Sequence, residues 1–239
     1  MAKTQGEVLE AFAPASERGG PVDVLAIGAH PDDIELGAGG LLILARRKGL
    51  STGGIVLTRG DAGRFGTEEQ RRKEAAEAAR VLELSHFEQL DHPDAALAAT
   101  RQAAVQLALR LRKLRPRLIL APHPEDRHFD HQAASRLADE AAFLADRATF
   151  DPETAPLSRP ALWWFGLDPA TLHRPHLVVD ITPVWAQKEA ALRAHASQAP
   201  IVAGAELYAR VYGAMIGVMF GEGFIPARPA AIQPDLSLL

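Results

Sequence analysis

A histidine and two aspartates follow one another at the end of a predicted buried strand. Residues 22–29 are mostly apolar, and His30, Pro31, Asp32 and Asp33 come directly after them. Pro31 prevents further strand pairing, and the two carboxylates can cap a following helix. A strand, a short loop and a helix present side chains at the carboxyl edge of a parallel sheet, where α/β proteins bind ligands. The pattern therefore predicts a metal ligand set with a base beside it.

A third ligand is available after another predicted buried strand, at 118–121. If His30 and Asp33 turn toward one point, His131 completes a set of two histidines and one carboxylate. Such a set is a common open zinc site, where the metal lowers the pKa of bound water to about 7. Iron(II) or cobalt suits the same donors. Asp32 then lies beside the metal, where it can accept a proton from water.

His128 lies three residues before His131, with Asp130 between them. A histidine that a carboxylate keeps protonated can stabilise the oxyanion of a tetrahedral intermediate. His128 is the candidate for this role, with Asp130 as its partner. In the alternative, His128 is itself a metal ligand, in an H-x-x-H pair with His131.

Composition narrows the class of protein. The chain has 239 residues, a formal net charge of -4 and no cysteine. It therefore has no disulfide, thiolate metal site or cysteine nucleophile, and the charge gives no support for a nucleic-acid partner. The first twenty residues lack the apolar core of a secretory signal, and no apolar run reaches the roughly 18 residues of a membrane span. We expect a soluble, cytoplasmic protein with no membrane partner.

Strands and helices alternate along the first two thirds of the chain, which is typical of βαβ units. The pattern predicts an α/β fold: a Rossmann-like three-layer sandwich with a mostly parallel sheet. Residues 1–20 are expected to form a loosely ordered arm, and 21–239 a single domain. Within it, about 21–146 would be the Rossmann-like core and 147–239 a C-terminal elaboration forming the pocket wall. Residues 221–239 are predicted as a Pro- and Gly-rich tail, and the glycines of 37–40 as a site of close helix–sheet packing.

Three segments together resemble a known family. Ala29-His30-Pro31-Asp32-Asp33 resembles the A-H-P-D-D motif of the LmbE-like, or PIG-L, N-acetylglucosamine deacetylases. Arg127-His128-Phe129-Asp130-His131 is similar to the second motif, usually R-H-P-D-H, and Thr58-Arg59-Gly60-Asp61 matches a recurrent segment after the second strand. The resemblance covers roughly residues 22–225.

The resemblance implies roles for the matching positions. It implies zinc or another divalent metal on His30, Asp33 and His131, with Asp32 as general base and then proton donor to the leaving amine. It further implies oxyanion stabilisation by His128, oriented by Asp130, and a substrate contact by Arg59. Asp61 and Arg127 are candidates to assist substrate binding. The expected partner is a small amino-sugar substrate. Assembly into a homo-oligomer is left open, because relatives often form oligomers.

Residues 192–198 and 216–224 most resemble the branch that deacetylates N-acetylglucosaminyl-malate in bacillithiol biosynthesis. Arg59 or Arg64 can pair with the malate carboxylates in bidentate fashion. Other substrates would leave the catalytic motifs unchanged: an inositol-linked glucosamine, a chitooligosaccharide or a thiol-conjugate amide. A non-catalytic α/β binding module is a distant alternative, because the chain lacks a G-x-G-x-x-G cradle for phosphates.

Two positions depart from the family pattern. Phe129 replaces the usual proline of the second motif, which removes no functional group. Phe220 stands where many members have a tyrosine. If that hydroxyl binds the tetrahedral intermediate, its role here is unfilled or belongs to Tyr208 or Tyr212.

Overall fold

A seven-stranded mixed sheet forms the centre of the molecule in the computed structural model, which describes residues 22–167 and 174–229. The strand order is β3-β2-β1-β4-β5-β7-β6. Strands β1 to β5 pair in parallel, and β7 runs antiparallel to both β5 and β6. The strands are β1 Val24–Gly28, β2 Thr52–Thr58, β3 His86–His92, β4 Leu118–Pro122, β5 Ala161–Phe165, β6 Leu177–Asp180 and β7 Gly221–Pro226.

Helices cover both faces of this sheet, which confirms the predicted three-layer α/β fold. The helices are α1 Asp33–Arg47, α2 Glu68–Val81, α3 Arg101–Leu114, α4 Phe129–Ala145, α5 Trp185–Ala194 and α6 Ile201–Ile216. Helices α1, α2, α5 and α6 contribute to the apolar core on one face, and α3 and α4 pack together on the other. Among the described residues, no helix combines the length and apolarity that a membrane span requires.

The alternating side chains of β1 show why two layers of helices form. Val24 and Ala26 belong to the core shared with α1, whereas Leu25 and Ile27 belong to the core shared with α3 and α4. All four are at most 1% exposed. A strand that is apolar on both faces must be covered on both faces, and parallel sheets meet this need with crossover helices.

The predicted tail contains a strand that the sequence analysis did not identify. Residues 221–226 form β7, which lies between β5 and β6 in the sheet. Glycine and proline at its ends masked the strand pattern, because both residues are poor strand formers. Part of the C-terminal elaboration is therefore integral to the sheet. The predicted arm at 1–20 lies outside the described residues.

The glycines of α1 allow close packing, as predicted. A side chain at Gly37 would overlap the ring of Phe165, and one at Gly40 would lie 2.5 Å from a methyl carbon of Ile181. Glycine is therefore required here for the approach of neighbouring elements rather than for phosphate binding.

A buried ion pair joins α1 to the C-terminal part of the chain. The Glu222 carboxylate accepts from the backbone amides of Gly40 (2.6 Å) and Leu41 (2.8 Å). The Lys188 ammonium donates to Glu222 Oε1 (2.6 Å) and to the Leu36 carbonyl (2.9 Å). Both charged side chains are at most 3% exposed, so each depends on the other for compensation of its charge.

Candidate active site

The carboxyl ends of β1 to β4 bring the candidate residues together at one edge of the sheet. The order changes direction between β1 and β4, which is the switch point where open α/β sheets form ligand crevices. The loop after β1 is fixed by Asp33, whose Oδ2 accepts from the amides of Ala29 (2.8 Å) and His30 (2.9 Å). Asp32 has a left-handed backbone (φ 110°), an uncommon conformation for a non-glycine residue.

This loop geometry corrects the expected capping role. Asp32 is the N-cap residue of α1, but its side chain makes no capping hydrogen bond. The Asp33 carboxylate turns back to the loop instead of to the helix. Both carboxylates are thereby directed to the site.

His30, Asp33 and His131 converge on one point. His30 Nδ1 lies 3.2 Å from His131 Nε2. Asp33 Oδ1 lies 3.3 Å from that His131 nitrogen, and Asp33 Oδ2 lies 3.6 Å from His30 Nδ1. Two imidazole nitrogens and a carboxylate that face one another are suitable donors for a divalent metal ion.

The second nitrogen of each histidine faces carboxylates. His30 Nε2 lies 3.1 Å from Asp130 Oδ2 and 3.1 Å from Asp94 Oδ1. His131 Nδ1 lies 3.0 Å from Asp126 Oδ1. Metal-binding histidines commonly use the non-ligating nitrogen in this way, because the outer carboxylate fixes the tautomer and the ring orientation. The residues therefore fit a resident metal ion.

Negative charge dominates this cluster. Burial acts to lower the pKa of His30, but hydrogen bonds to Asp130 and Asp33 override it and raise that pKa to about 12. Burial likewise opposes protonation of His131, yet Asp33 and Asp126 raise its pKa to about 9. Burial acts to raise the pKa of Asp33, but the His131 charge brings it well below its usual value. Such an environment favours a cation between the ligands.

The electrostatics of Asp32 differ from those of Asp33. Burial and the neighbouring Asp33 charge raise the pKa of Asp32 to about 7, against the opposing effects of His195 and Arg71. A carboxyl group with a pKa near neutrality can both accept and return a proton. Asp32 is therefore suited to general acid–base chemistry.

The expected partnership of His128 with the Asp130 carboxylate is wrong. That carboxylate accepts from the amides of Ala95 (2.7 Å) and Leu97 (3.1 Å) and faces His30. The backbone amide of Asp130 instead donates to His128 Nδ1 (3.2 Å). Burial and the charges of His30 and His131 lower the pKa of His128, so Asp130 does not keep it protonated. As Nδ1 is an acceptor, Nε2 carries the proton of the neutral ring.

His128 stays close to the candidate metal ligands. Its ring centroid lies 4.7 Å from that of His30 and 4.7 Å from that of His131. One nitrogen from each of the three rings can lie within 4.8 Å of the others. His128 can therefore reach a group bound at the centre, and the alternative in which it is a ligand is compatible with the distances.

Arg59 and Asp61 contact each other at the start of the loop after β2. Arg59 Nη2 donates to Asp61 Oδ2 (2.7 Å), and Arg59 Nη1 donates to the Asp91 carbonyl (2.7 Å). Asp61 Oδ1 accepts from the amide of Asp94 (3.0 Å). These contacts connect the loop after β2 with the end of β3 and the loop that follows it.

Arg64 and Arg127 are both exposed. The Arg64 guanidinium lies over the Phe65 ring, 5.7 Å from its centroid. Arg127 directly precedes His128 and α4. The structure thus places Arg64 in the loop after β2 and Arg127 in the loop after β4.

Asp94 and Arg71 are site residues that the sequence analysis missed. Arg71 Nη2 donates to the Pro31 carbonyl (3.0 Å) and lies 3.6 Å from Asp32 Oδ2. Arg71 Nη1 donates to the Gly60 carbonyl (2.9 Å) and lies 3.5 Å from Asp94 Oδ2. Asp94 had a signal, because the H-P-D sequence after β1 recurs after β3. Arg71 had none, since it lies in a helix rich in exposed charges.

Asp126 and His195 were also missed. Asp126 is 1% exposed and faces His131 from the loop after β4, where its position in a strand-end loop was a usable signal. His195 is fully buried, with Nε2 3.3 Å from Glu35 Oε2. It lies far from both motifs in the sequence, so no local pattern connects it with Asp32.

The aromatic residues that could replace the family tyrosine make contacts elsewhere. Phe220 is 6% exposed and stacks on Trp185, with the ring centroids 4.3 Å apart. Tyr208 directs its hydroxyl at the Leu167 carbonyl (3.5 Å). Tyr212 is buried beside Gly166 and Gly223. None of these contacts reaches the histidine cluster.

Comparison with known proteins shows relatives over nearly the whole chain. Residues 25–142 match the family described as PIG-L, GlcNAc-PI de-N-acetylase. Diacetylchitobiose deacetylase from Thermococcus kodakarensis is 31% identical over 229 residues, which cover 85% of this chain and 83% of the relative.

Solved structures agree with this relationship. A conserved protein from Thermus thermophilus superposes with a TM-score of 0.83 at 40% identity, covering 89% of this chain and 98% of the other. GalB, the 4-carboxy-2-hydroxymuconate hydratase from Pseudomonas putida, also gives 0.83, at 26% identity and the same coverage. The chain belongs to the PIG-L, or LmbE-like, deacetylase family.

Proposed function

We propose that this protein is a metal-dependent hydrolase that removes the acetyl group from an N-acetylglucosaminide. One observation carries the proposal: the facing nitrogens of His30 and His131 stand 3.2 Å apart beside Asp33, while carboxylates face the second nitrogen of each ring. This is the arrangement expected of a resident divalent metal. Membership of a deacetylase family supports the reaction type.

A divalent cation on His30, Asp33 and His131 would supply Lewis-acid activation of water and of the acetyl carbonyl. Asp32 is the group that moves the proton. With its pKa near 7, the carboxylate accepts a proton from the attacking water and then donates it to the departing amine. Arg71 Nη2, 3.6 Å from Asp32 Oδ2, orients this carboxylate.

His128 stabilises the developing oxyanion as a neutral hydrogen-bond donor. Its Nδ1 accepts from the Asp130 amide, so the proton resides on Nε2. A donor fixed in advance where negative charge develops lowers the barrier without reorganisation. The role stays as the resemblance implies, but a backbone amide rather than the Asp130 carboxylate sets the tautomer.

For the substrate we propose N-acetylglucosaminyl-malate, the bacillithiol precursor. The support comes from Arg64, which is exposed at the loop tip and makes no ion pair among the residues that the structure describes. A guanidinium in this state can bind a malate carboxylate in bidentate geometry. Arg59 is already paired with Asp61, so Arg64 is the better candidate.

Hydration of a carbon–carbon double bond is a second reaction that should be tested. A hydratase from Pseudomonas putida superposes as well as the Thermus thermophilus protein does. Addition of water to a carbon–carbon double bond also needs activated water and a base, which this site would provide. The chitobiose deacetylase relative favours an amide substrate, with 31% identity over most of the chain.

The test is a substrate panel on protein loaded with Zn²⁺, Fe²⁺ or Co²⁺ in separate preparations. The panel contains N-acetylglucosaminyl-malate, the inositol analogue, diacetylchitobiose and 4-carboxy-2-hydroxymuconate. Free amine reports deacetylation, and loss of ultraviolet absorbance reports hydration. A chelated sample and His131→Ala serve as controls for the metal.

Chelator-sensitive amine release from the malate conjugate alone would support the full proposal. Release from another amino sugar would retain the deacetylase and discard the malate assignment. Hydration without amine release would overturn the deacetylase. Failure of the protein to bind any of the three metals would refute the metal-dependent mechanism.

A further inference from the structure

The 59–66 loop, which carries Arg59, Asp61 and Arg64, is exposed over most of its length. Gly60, Gly63 and Gly66 give it little intrinsic rigidity, because glycine has the greatest backbone freedom. A loop of this composition needs external contacts if its arginines are to meet a substrate in a defined position. Besides the contacts of Arg59 and Asp61 with Asp91 and Asp94, the loop is held from two further sides.

One side is Arg71 in α2. Its guanidinium donates to the Gly60 carbonyl (2.9 Å) and also to the Pro31 carbonyl. Arg71 thereby connects the beginning of the 59–66 loop with the loop after β1. Gly60 and Gly66 both have positive φ angles, +70° and +82°. At Gly66 a side chain would also lie 3.3 Å from Arg71 Cγ.

The other side is the turn at residues 195–198, which joins α5 to α6. Gln198 Nε2 donates to the Phe65 carbonyl (2.7 Å). Ser197 packs against the next residue of the loop, since a side chain at Gly66 would lie 2.8 Å from Ser197 Oγ. The turn therefore contacts the loop at its far end, next to Arg64.

The 195–198 turn is itself held firmly. Ser197 donates from its amide (2.9 Å) and from its hydroxyl (2.6 Å) to the two carboxylate oxygens of Glu74 in α2. Gln70 Nε2 also donates to Glu74 (3.1 Å). At the start of the turn, the buried His195 faces Glu35 of α1. One short turn thus connects α1, α2 and the 59–66 loop.

We propose that Ser197 and Gln198 are positioning residues that hold the 59–66 loop in its substrate-binding conformation. They act through the backbone of Phe65 and Gly66 and do not touch the reacting atoms. The functional consequence rests on the proposed function: loss of these contacts weakens substrate binding and leaves the chemical step intact. The conformational consequence is independent of any substrate.

The chain offers a matched pair of variants. Gln198→Glu keeps the side-chain shape but removes the amide donor to Phe65. Gln187→Glu makes the same chemical change in α5, where Gln187 Nε2 donates to the Val81 carbonyl (2.9 Å) at the opposite end of α2. Both residues are half-buried, so the comparison controls for the replacement of an amide by a carboxylate at a partly exposed position. Ser197→Ala is the second test variant.

The first readout is hydrogen exchange of a peptide spanning residues 59–66 in the metal-loaded protein. We expect about five- to tenfold faster exchange in Gln198→Glu and Ser197→Ala, with wild-type exchange in Gln187→Glu. The second readout is kinetics with the best substrate of the panel. There we expect KM to rise by about five- to tenfold while kcat stays within about twofold.

Unchanged loop exchange in both test variants would overturn the proposal, as would equal acceleration in Gln187→Glu. A fall in kcat with unchanged KM would overturn the assignment to substrate binding. If the wild-type protein deacetylates no substrate, the proposed function fails, and the exchange measurement still decides whether the turn holds the loop. Melting temperatures of all three variants identify any general loss of folding.

Discussion

The candidate metal-ligand cluster of His30, Asp33 and His131 and the 59–66 loop lie side by side but are built differently. Asp33 is 3% exposed and His131 9%, whereas Phe65 is 54% exposed. The cluster is fixed by short contacts between charged side chains, and the loop by a few hydrogen bonds to its backbone. The buried region can fix the geometry of the reaction, while the exposed loop can vary with the substrate. Substitutions in the cluster should therefore affect kcat and metal binding, whereas substitutions in the 59–66 loop should affect KM.

The largest effect is expected at Asp32. Asp32→Asn should lower kcat by about 10²–10⁴-fold, because the amide cannot accept the proton from water. Metal content, measured by elemental analysis, should equal that of the wild type, since Asp32 is beside the ligand set. The control is His30→Ala, which removes a candidate ligand and should lose both activity and bound metal. Equal loss of metal in Asp32→Asn would make Asp32 a ligand and contradict its role as base.

A smaller effect is expected outside the ligand set. Asp126→Asn should weaken metal affinity by about 10–100-fold, because the carboxylate 3.0 Å from His131 Nδ1 orients that ligand. Competition with a chelator of known affinity measures the change. Asp139→Asn makes the same substitution in the exposed ion pair with Arg159 and should leave affinity unchanged. Equal affinities in the two variants would show that Asp126 does not support the ligand.

In the loop, Arg64→Ala should raise KM for the malate conjugate by about three- to tenfold, in keeping with an exposed charge pair. Steady-state kinetics should show an unchanged kcat and an unchanged KM for diacetylchitobiose, which has no carboxylate. A similar rise in KM for both substrates would mean that Arg64 binds the sugar or shapes the loop. A fall in kcat in Arg64→Ala would contradict the assignment of KM effects to the loop and kcat effects to the cluster.

The smallest effect concerns His195, at the boundary between the regions. Burial acts to lower its pKa, but the charge of Glu35, aided by Asp32 and Glu74, raises it above the usual value. The stabilisation is therefore complete below the unfolded pKa and is lost as the pH rises through the folded one. The difference in unfolding free energy between wild type and His195→Gln, measured in urea titrations, should be largest below about pH 6.5, the ordinary histidine pKa, and should shrink as the pH rises above it. A constant difference would exclude a charged His195.

Sequence periodicity predicted the parallel half of the fold because β1, β2 and β4 are buried on both faces and several of the helices begin at recognisable caps. Thr67, for example, accepts from the Gln70 amide at the start of α2. The antiparallel β7 escaped prediction because its glycines and proline resemble a loop. Its pairing with β5 and β6 is set by tertiary contacts such as Phe165 opposite Phe224.

The convergence of His30, Asp33 and His131 followed from strand ends that share one edge of the sheet. The sequence did not predict which carboxylates face the second nitrogens of His30 and His131. A sequence shows that Asp130 lies next to His131, but only the rotation of α4 shows that its carboxylate faces His30. Arg71 was beyond reach for the same reason, since its long side chain spans from a helix to two loops.

The ion pair of Lys188 and Glu222 has a consequence for the order in which the chain can mature during synthesis. Helix α1 precedes β7 by more than half of the chain, and domains generally fold as units from the N-terminal side. Two of its amides, at Gly40 and Leu41, obtain their carboxylate partner only when residue 222 has emerged. A nascent chain that stops short of β7 carries both sequence motifs and yet lacks this support for α1.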